Sequence, residues 1–233
     1  MMFTRSFTTR EDYIGATIAY LRNICDTTPD TVNIAVSGGR PPRPIFDALS
    51  RDKTIPWERI NLFQVDDRYV PFDHAESNYH LISRLLTPTI LKRLRAFYFF
   101  NTSLPIVEAL HEYEKNIVPF QPFDLTILGV GTDGHFASLF PGSPALGEST
   151  HLVAHTTVEH TPVRDRLTLT LPAIMGSKKI LLLQGKDTEK IFDSTVYTTK
   201  MSDEFPVKKL LRHPNFTIHF LDILPKDYLR DLP

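Results

Sequence analysis

The stretch Leu125 to Gly142, LTILGVGTDGHFASLFPG, decides how the chain must be folded. Its first six residues, Leu125 to Val130, form a short apolar run with branched side chains, the signature of a buried strand. The run empties into glycines and other small residues, so a loop is expected at its carboxyl end. Gly129, Gly131 and Gly134 formally satisfy the G-x-G-x-x-G dinucleotide fingerprint. That site also needs a full helix packed back on the sheet and a second strand ending in an acidic residue. Here Pro141-Gly142-Ser143-Pro144 stops any helix after about two turns. The glycines are therefore expected to serve another ligand, with His135 at the start of a short helix.

Upstream, Thr9 and Asp12 mark the start of a helix carrying Tyr13, Ile14, Thr17, Ile18, Leu21 and Ile24 at helical spacing, up to the break at Thr27-Thr28-Pro29. Val32 to Val36 (VNIAV) reads as the first strand, and prolines 41, 42 and 44 open a helix after it. Ile60 to Val65 is the second strand, followed by the polar run Asp66-Asp67-Arg68 and a helix from Ser77; Ala96 to Phe100 is a third strand and Ile106 to Ile117 a helix. Downstream, strands are expected at Leu152 to His155, Leu167 to Leu171, Ile180 to Leu183 and Phe216 to Leu221, with helices at Thr188 to Tyr197 and Val207 to Leu211. Strands alternating with helices indicate an α/β protein with an open, mostly parallel, Rossmann-like sheet covered by helices on both faces. There is no internal repeat, and similar apolar strands flank Pro141-Gly142-Ser143-Pro144, so residues 1–233 are expected to form a single domain.

Composition narrows the partners. Lysine and arginine number 26 against 27 acidic residues, a formal net charge of -1, so no global field draws in nucleic acid and any anion must be met locally. The single cysteine, Cys25, excludes an internal disulfide and makes a poor zinc ligand; no metal is expected. The opening MMFTRSFTTRED lacks the apolar run of a secretory signal, and no stretch approaches the roughly 20 apolar residues of a membrane span. A cytoplasmic location with no membrane partner is expected.

Open α/β sheets bind ligands outside the carboxyl ends of their strands. Three such segments carry unusual polar content. After the first strand, Gly38 and Gly39 let the backbone approach a ligand, with Arg40 beside them; an ordinary strand-to-helix turn is the alternative. After the second, Asp66, Asp67 and Arg68 put two carboxylates beside a guanidinium whose planar fork suits a phosphate; the alternative is a solvated ion pair. After Val130 come Asp133 and His135. Imidazole can take a proton from water near neutral pH, and a neighbouring carboxylate can hold its ring in the useful tautomer, which suggests hydrolysis. The chain has 9 histidines, and the glycine-rich strand end is what raises this one above a surface residue. Arg164, Arg166, Lys186 and Lys190 could each add a phosphate contact or simply face solvent.

Four ordered blocks then resemble the 6-phosphogluconolactonase family, whose fold is shared with glucosamine-6-phosphate deaminases. They are Ser37-Gly38-Gly39, Asp66 to Pro71 with Ser77-Asn78, Leu128 to Gly142, and Arg166 to Thr170 ahead of a proline. The resemblance implies hydrolysis of a sugar-phosphate lactone, 6-phosphogluconolactone, to 6-phosphogluconate without metal or organic cofactor, the second step of the oxidative pentose phosphate pathway. By the same resemblance His135 is the base, Asp133 orients it or a sugar hydroxyl, and Arg68 and Arg166 bind the phosphate with Lys186 or Lys190. Gly38 and Gly39 line the sugar or the carbonyl. The chain departs from the family in having Arg40, Pro41 and Pro42 where hydroxyl residues and a proline are usual, Asp67 for a glutamate, and Thr188 at the customary lysine position. The deaminases need a glutamate five residues beyond the histidine, where this chain has Phe140. Sugar-phosphate-sensing regulators of the same fold append a basic helix-turn-helix, which the first thirty residues do not resemble.

Overall fold

Side-chain alternation along the central strands sorts the core onto two faces. In β2 (Val32–Val36), Ile34 and Val36 enter one apolar core and Ala35 the other; in β9 (Ile180–Gly185), Leu181 and Leu183 oppose Ile180 and Leu182. A strand buried on both sides has to be covered by helices on both sides. In the computed structural model, which describes residues 3–39, 42–159, 161–192 and 205–222, this is what the chain does. On one face lie α1 (Arg10–Thr27), α2 (Arg43–Leu49), α3 (Asn78–Leu85) and α4 (Thr87–Arg93), contributing Leu21, Phe46, Ile82 and Ile90. On the other lie α5 (Ile106–Ile117) and α6 (Leu171–Met175), contributing Tyr113 and Ile174.

Between these layers runs a seven-stranded, wholly parallel sheet. Its order is β1 (Phe3–Phe7), β10 (Phe216–Leu221), β9, β6 (Leu125–Gly129), β2, β3 (Ile60–Gln64) and β5 (Ala96–Tyr98). From β2 the chain steps outward to β3 and β5, then returns to β6 on β2's other side. The topological switch therefore falls between β2 and β6, where the departing loops splay apart and leave a crevice. β1 is an addition to the sequence reading. Its FTRSF pattern is mostly exposed at the sheet edge, so it carries little apolar signal.

A second, antiparallel sheet of three strands corrects the reading of Asp66-Asp67-Arg68 as a strand-end polar run. These residues are themselves a strand, β4 (Asp66–Arg68), paired with β8 (Asp165–Leu169), which pairs in turn with β7 (Val153–Thr157). Val65 is the hinge between sheets: its N–H donates to Val36 O at 2.9 Å and its carbonyl accepts from Leu169 N at 2.7 Å. The expected helix at His135 is also absent. The backbone instead turns through Gly134 (φ 79°) and Ala137 (φ 53°), both in the left-handed region that a helix cannot use. The expected helices at 188–197 and 207–211 are short 3-10 segments, Lys186–Phe192 and Pro206–Arg212, the first running up to residues outside those described.

Candidate active site

A cavity of about 250 Å³ opens at the switch point, and five separate segments wall it. Ser37, Gly38 and Gly39 follow β2; Asp66 and Arg68 come from β4; Asn78 starts α3; Gly131, His135 and Ala137 follow β6; Arg166 comes from β8. Most of these residues lie in segments that the sequence singled out, brought together by crossovers that no local pattern displays.

The acidic pair divides into two tasks. Asp67 is fully buried and accepts from Gln64 Nε2 at 2.6 Å, Ser77 Oγ at 3.2 Å, and the backbone N–H groups of Arg68, Asn78 and Tyr79 at 2.7, 2.7 and 3.0 Å. Burial pushes its carboxyl above the ordinary range, against the pull of those donors. It serves as the clamp that ties β4 to the start of α3. Asp66 is also buried, but it accepts from Ser138 Oγ at 2.8 Å and lines the cavity, joining β4 to the loop after β6.

Arg68 and Arg166 are register partners across β4 and β8, so antiparallel pairing sets two guanidinium groups side by side. Arg68 Nη1 donates to Glu76 O at 2.7 Å and to Asn78 Oδ1 at 2.9 Å, which aims the group at the cavity. Arg166 is 6% exposed; its Nε donates to Val163 O at 3.1 Å and its Nη2 to Thr161 Oγ1 at 3.2 Å. Burial, and then the charge of Arg68, pull Arg166 below its ordinary value, with Asp66, Glu76 and Asp67 opposing. Among the described residues no carboxylate lies within ion-pair distance of Arg166. Two close cations in a recess, one without an acidic partner, make a site for a dianion.

The imidazole of His135 lines the same cavity. Its Nδ1 lies 2.5 Å from Asp133 Oδ1, and because a carboxylate can only accept, Nδ1 carries the hydrogen and Nε2 the lone pair. Burial raises the Asp133 carboxyl, but the hydrogen bond and charge of His135 outweigh this and leave it below the usual range. Gly131 N–H donates to His135 O at 2.9 Å and closes the turn. A Cβ at Gly131 would come within 2.2 Å of His135 Cε1, 2.3 Å of its Nδ1 and 2.8 Å of Asp133 Oδ1, so any larger residue here pushes the imidazole out of place. The ring of Phe140 stacks on the imidazole, with centroids 4.2 Å apart and planes at 25°.

Of the residues singled out from sequence, His135, Gly38, Gly39, Asp66, Arg68 and Arg166 meet at this cavity, with Asp133 bonded behind His135. Lys186 does not join them. Its ammonium pairs with Asp222 at 2.6 Å, beside β10, and is absent from the cavity lining. Arg40 and the side chain of Lys190 lie outside the described residues. Sequence reasoning missed Asn78 and Ser138 as site-building residues. Asn78 was visible only as part of Ser77-Asn78, and its role follows from Gly38, whose missing Cβ leaves the space that the Asn78 amide fills. Among the described residues no group of three or more His, Cys, Asp or Glu is placed to hold a metal ion, and no helix is long and apolar enough to cross a membrane.

A doubly covered parallel sheet, with paired guanidiniums and a carboxylate-held imidazole lining one cavity at the switch point, defines an α/β protein whose site suits an anionic ligand. The family comparison agrees: residues 9–218 match the model for glucosamine-6-phosphate isomerases/6-phosphogluconolactonase, and the chain belongs to that family. It is 32% identical over 227 residues to the 6-phosphogluconolactonase of Caulobacter vibrioides, covering 93% of this chain and 95% of that one. The crystal structure of 6-phosphogluconolactonase from Thermotoga maritima superposes with a TM-score of 0.79 at 29% identity, covering 95% of this chain and 99% of that one. A monomeric glucosamine-6-phosphate deaminase superposes equally well, at a TM-score of 0.79 and 16% identity over 94% of this chain and 97% of that one, which shows a shared fold.

Proposed function

We propose that this chain hydrolyses 6-phosphogluconolactone to 6-phosphogluconate, the second step of the oxidative pentose phosphate pathway, with His135 as general base. The observation that carries the reading is that one cavity is lined by Arg68, Arg166 and His135. The phosphate docks on the paired guanidiniums and Gly38 and Gly39 line the sugar, leaving the lactone carbonyl toward the imidazole. His135 Nε2 takes a proton from water as the water oxygen bonds to the carbonyl carbon. Backbone N–H groups of the glycine-rich turns stabilise the oxyanion. As the tetrahedral intermediate collapses, the bond to the ring oxygen breaks and the imidazolium returns its proton to that oxygen. Asp133 keeps the hydrogen on Nδ1 throughout. Water is the only co-reactant this route uses, and neither metal nor organic cofactor enters it. The lone buried thiol of Cys25 fits a reducing, cytoplasmic setting.

Phe140 favours this reading over amino-sugar deamination, since an aromatic ring cannot relay the proton that ring opening requires. The test is lactone hydrolysis, corrected for the spontaneous rate, by wild type, His135→Ala and Arg68→Ala. His135→Ala is expected to lower kcat by about 10²-fold or more, and Arg68→Ala mainly to raise KM. Full activity in His135→Ala removes the proposed base. Ammonia release from glucosamine 6-phosphate without lactone hydrolysis reverses the choice of substrate.

A further inference from the structure

A histidine held by one hydrogen bond is only half positioned. The bond from Nδ1 to Asp133 fixes one ring atom, yet the imidazole can still swing about that axis and carry Nε2 through an arc. Asp133 is itself half-exposed, its side chain 47% accessible, so water competes for the same bond. On one side the ring lies against the Gly131 backbone, where an added Cβ would come within 2.2 Å of Cε1, and its opposite face is left to be held by another group. What removes the remaining rotation is a plane laid against a plane. Phe140 supplies it, with its centroid 4.2 Å from that of the imidazole and the two rings within 25° of parallel. The chain brings the two together through the left-handed turn at Ala137, φ 53°, which folds residues 135 and 140 back over one another.

We propose that Phe140 is a positioning residue: its ring stacks on His135 and fixes the plane in which Nε2 meets the attacking water. The inference rests on the reading of His135 as the base. A general base must sit within hydrogen-bond reach of its proton, and misplacement of the order of 1 Å can cost about 10²-fold in rate. Arg68 and Arg166 come from β4 and β8, and Phe140 is not among the residues that line the cavity, so loss of the stack is expected to act on turnover more than on binding.

The experiment compares kcat and KM for wild type, Phe140→Leu, Phe140→Met, Phe140→Tyr and His135→Ala, with the His135 ring protons followed by NMR. In wild type those protons are expected to be displaced by the ring current of Phe140. Both non-aromatic variants are expected to lose that displacement and about ten- to a hundredfold in kcat, with KM within about twofold because the binding contacts are untouched. Phe140→Tyr restores both the displacement and the rate. Methionine, which adapts its shape to a gap, keeps the comparison available should leucine unfold the loop. Wild-type kcat in Phe140→Leu or Phe140→Met beside an inactive His135→Ala overturns the stack alone. So does a tyrosine variant that recovers the displacement without the rate. An active His135→Ala overturns the base itself, and with it any need to position that ring.

Discussion

Two glycines tune the two halves of the site, and their substitutions should fail in different ways. At Gly131 an added methyl meets the His135 ring and Asp133 Oδ1, so Gly131→Ala displaces the base. Its kcat is expected to fall by about 10²-fold with KM little changed. At Gly38 the added methyl meets the Asn78 side chain, whose Oδ1 accepts from Arg68 Nη1 at 2.9 Å. Gly38→Ala therefore loosens a phosphate anchor, and KM is expected to rise about tenfold, the worth of one charge-assisted hydrogen bond, with kcat largely kept. Steady-state kinetics on the two variants side by side checks both, and a common effect on KM and kcat would show that the cavity responds as one piece. The glycines were legible in the sequence as strand-end residues. What each makes room for was not, because Gly38 and Asn78 are 40 positions apart and meet only through tertiary packing.

At the scale of elements, the three residues of β4 hold the site together by being shared between two sheets and a helix. Asp67 is where those elements meet, since its carboxylate accepts from β3, from β4 and from the first turn of α3. Asp67→Ala leaves five donors without an acceptor, and a loss of about 3 kcal/mol is expected, read as a lower urea midpoint. Arg68, on the same strand, should lose affinity in parallel. The buried strands β2, β3, β6 and β9 were legible because both-sided burial writes continuous branched apolar runs. β4 was not, because three polar residues carry no apolar period and its strand character comes wholly from pairing with β8, about 100 residues on. The same limit hid the facing of Arg68 and Arg166, each read separately as a phosphate contact. It also made Lys186 a candidate, since nothing local to the 185–190 segment announces that Asp222 claims its charge. His135 does follow a strand end and lines the cavity, while the helix expected after it gave way to a left-handed turn at Gly134 and Ala137.

For the whole molecule, one apolar core joins the large sheet to the small one: Leu128 and Leu182 of the first pack in the same cluster as Leu167 and Leu169 of the second. Unfolding is therefore expected in a single transition, with Trp57 fluorescence and far-ultraviolet dichroism coinciding; separated transitions would divide the chain into two units. Its acid limit should be set at the other edge of the sheet, where β10, β1 and α1 close over His219. This ring is fully buried. Thr17 Oγ1 gives its hydrogen to Tyr13 O at 2.8 Å, so His219 Nδ1, 2.9 Å from the same oxygen, must donate. Nε2 then holds a lone pair that has no partner among the described residues. Protonation would place a charge there with nothing to receive its hydrogen, and burial, with Arg5 adding, pulls this histidine down from 6.5 to about 4. Above pH 6.5 the ring is neutral in both states and its contribution is complete. Between pH 6.5 and about 4 the unfolded chain binds a proton that the folded chain refuses, so stability falls as acid is added and levels off below. The full span is worth about 3 kcal/mol. In His219→Asn the amide can still donate to Thr17 but cannot titrate, so the variant should be less stable at neutral pH by a constant packing loss. Urea unfolding at neutral pH and near pH 4 should then show the gap between wild type and variant narrowing by most of that amount. Parallel profiles would mean that the acid sensitivity resides elsewhere in the fold.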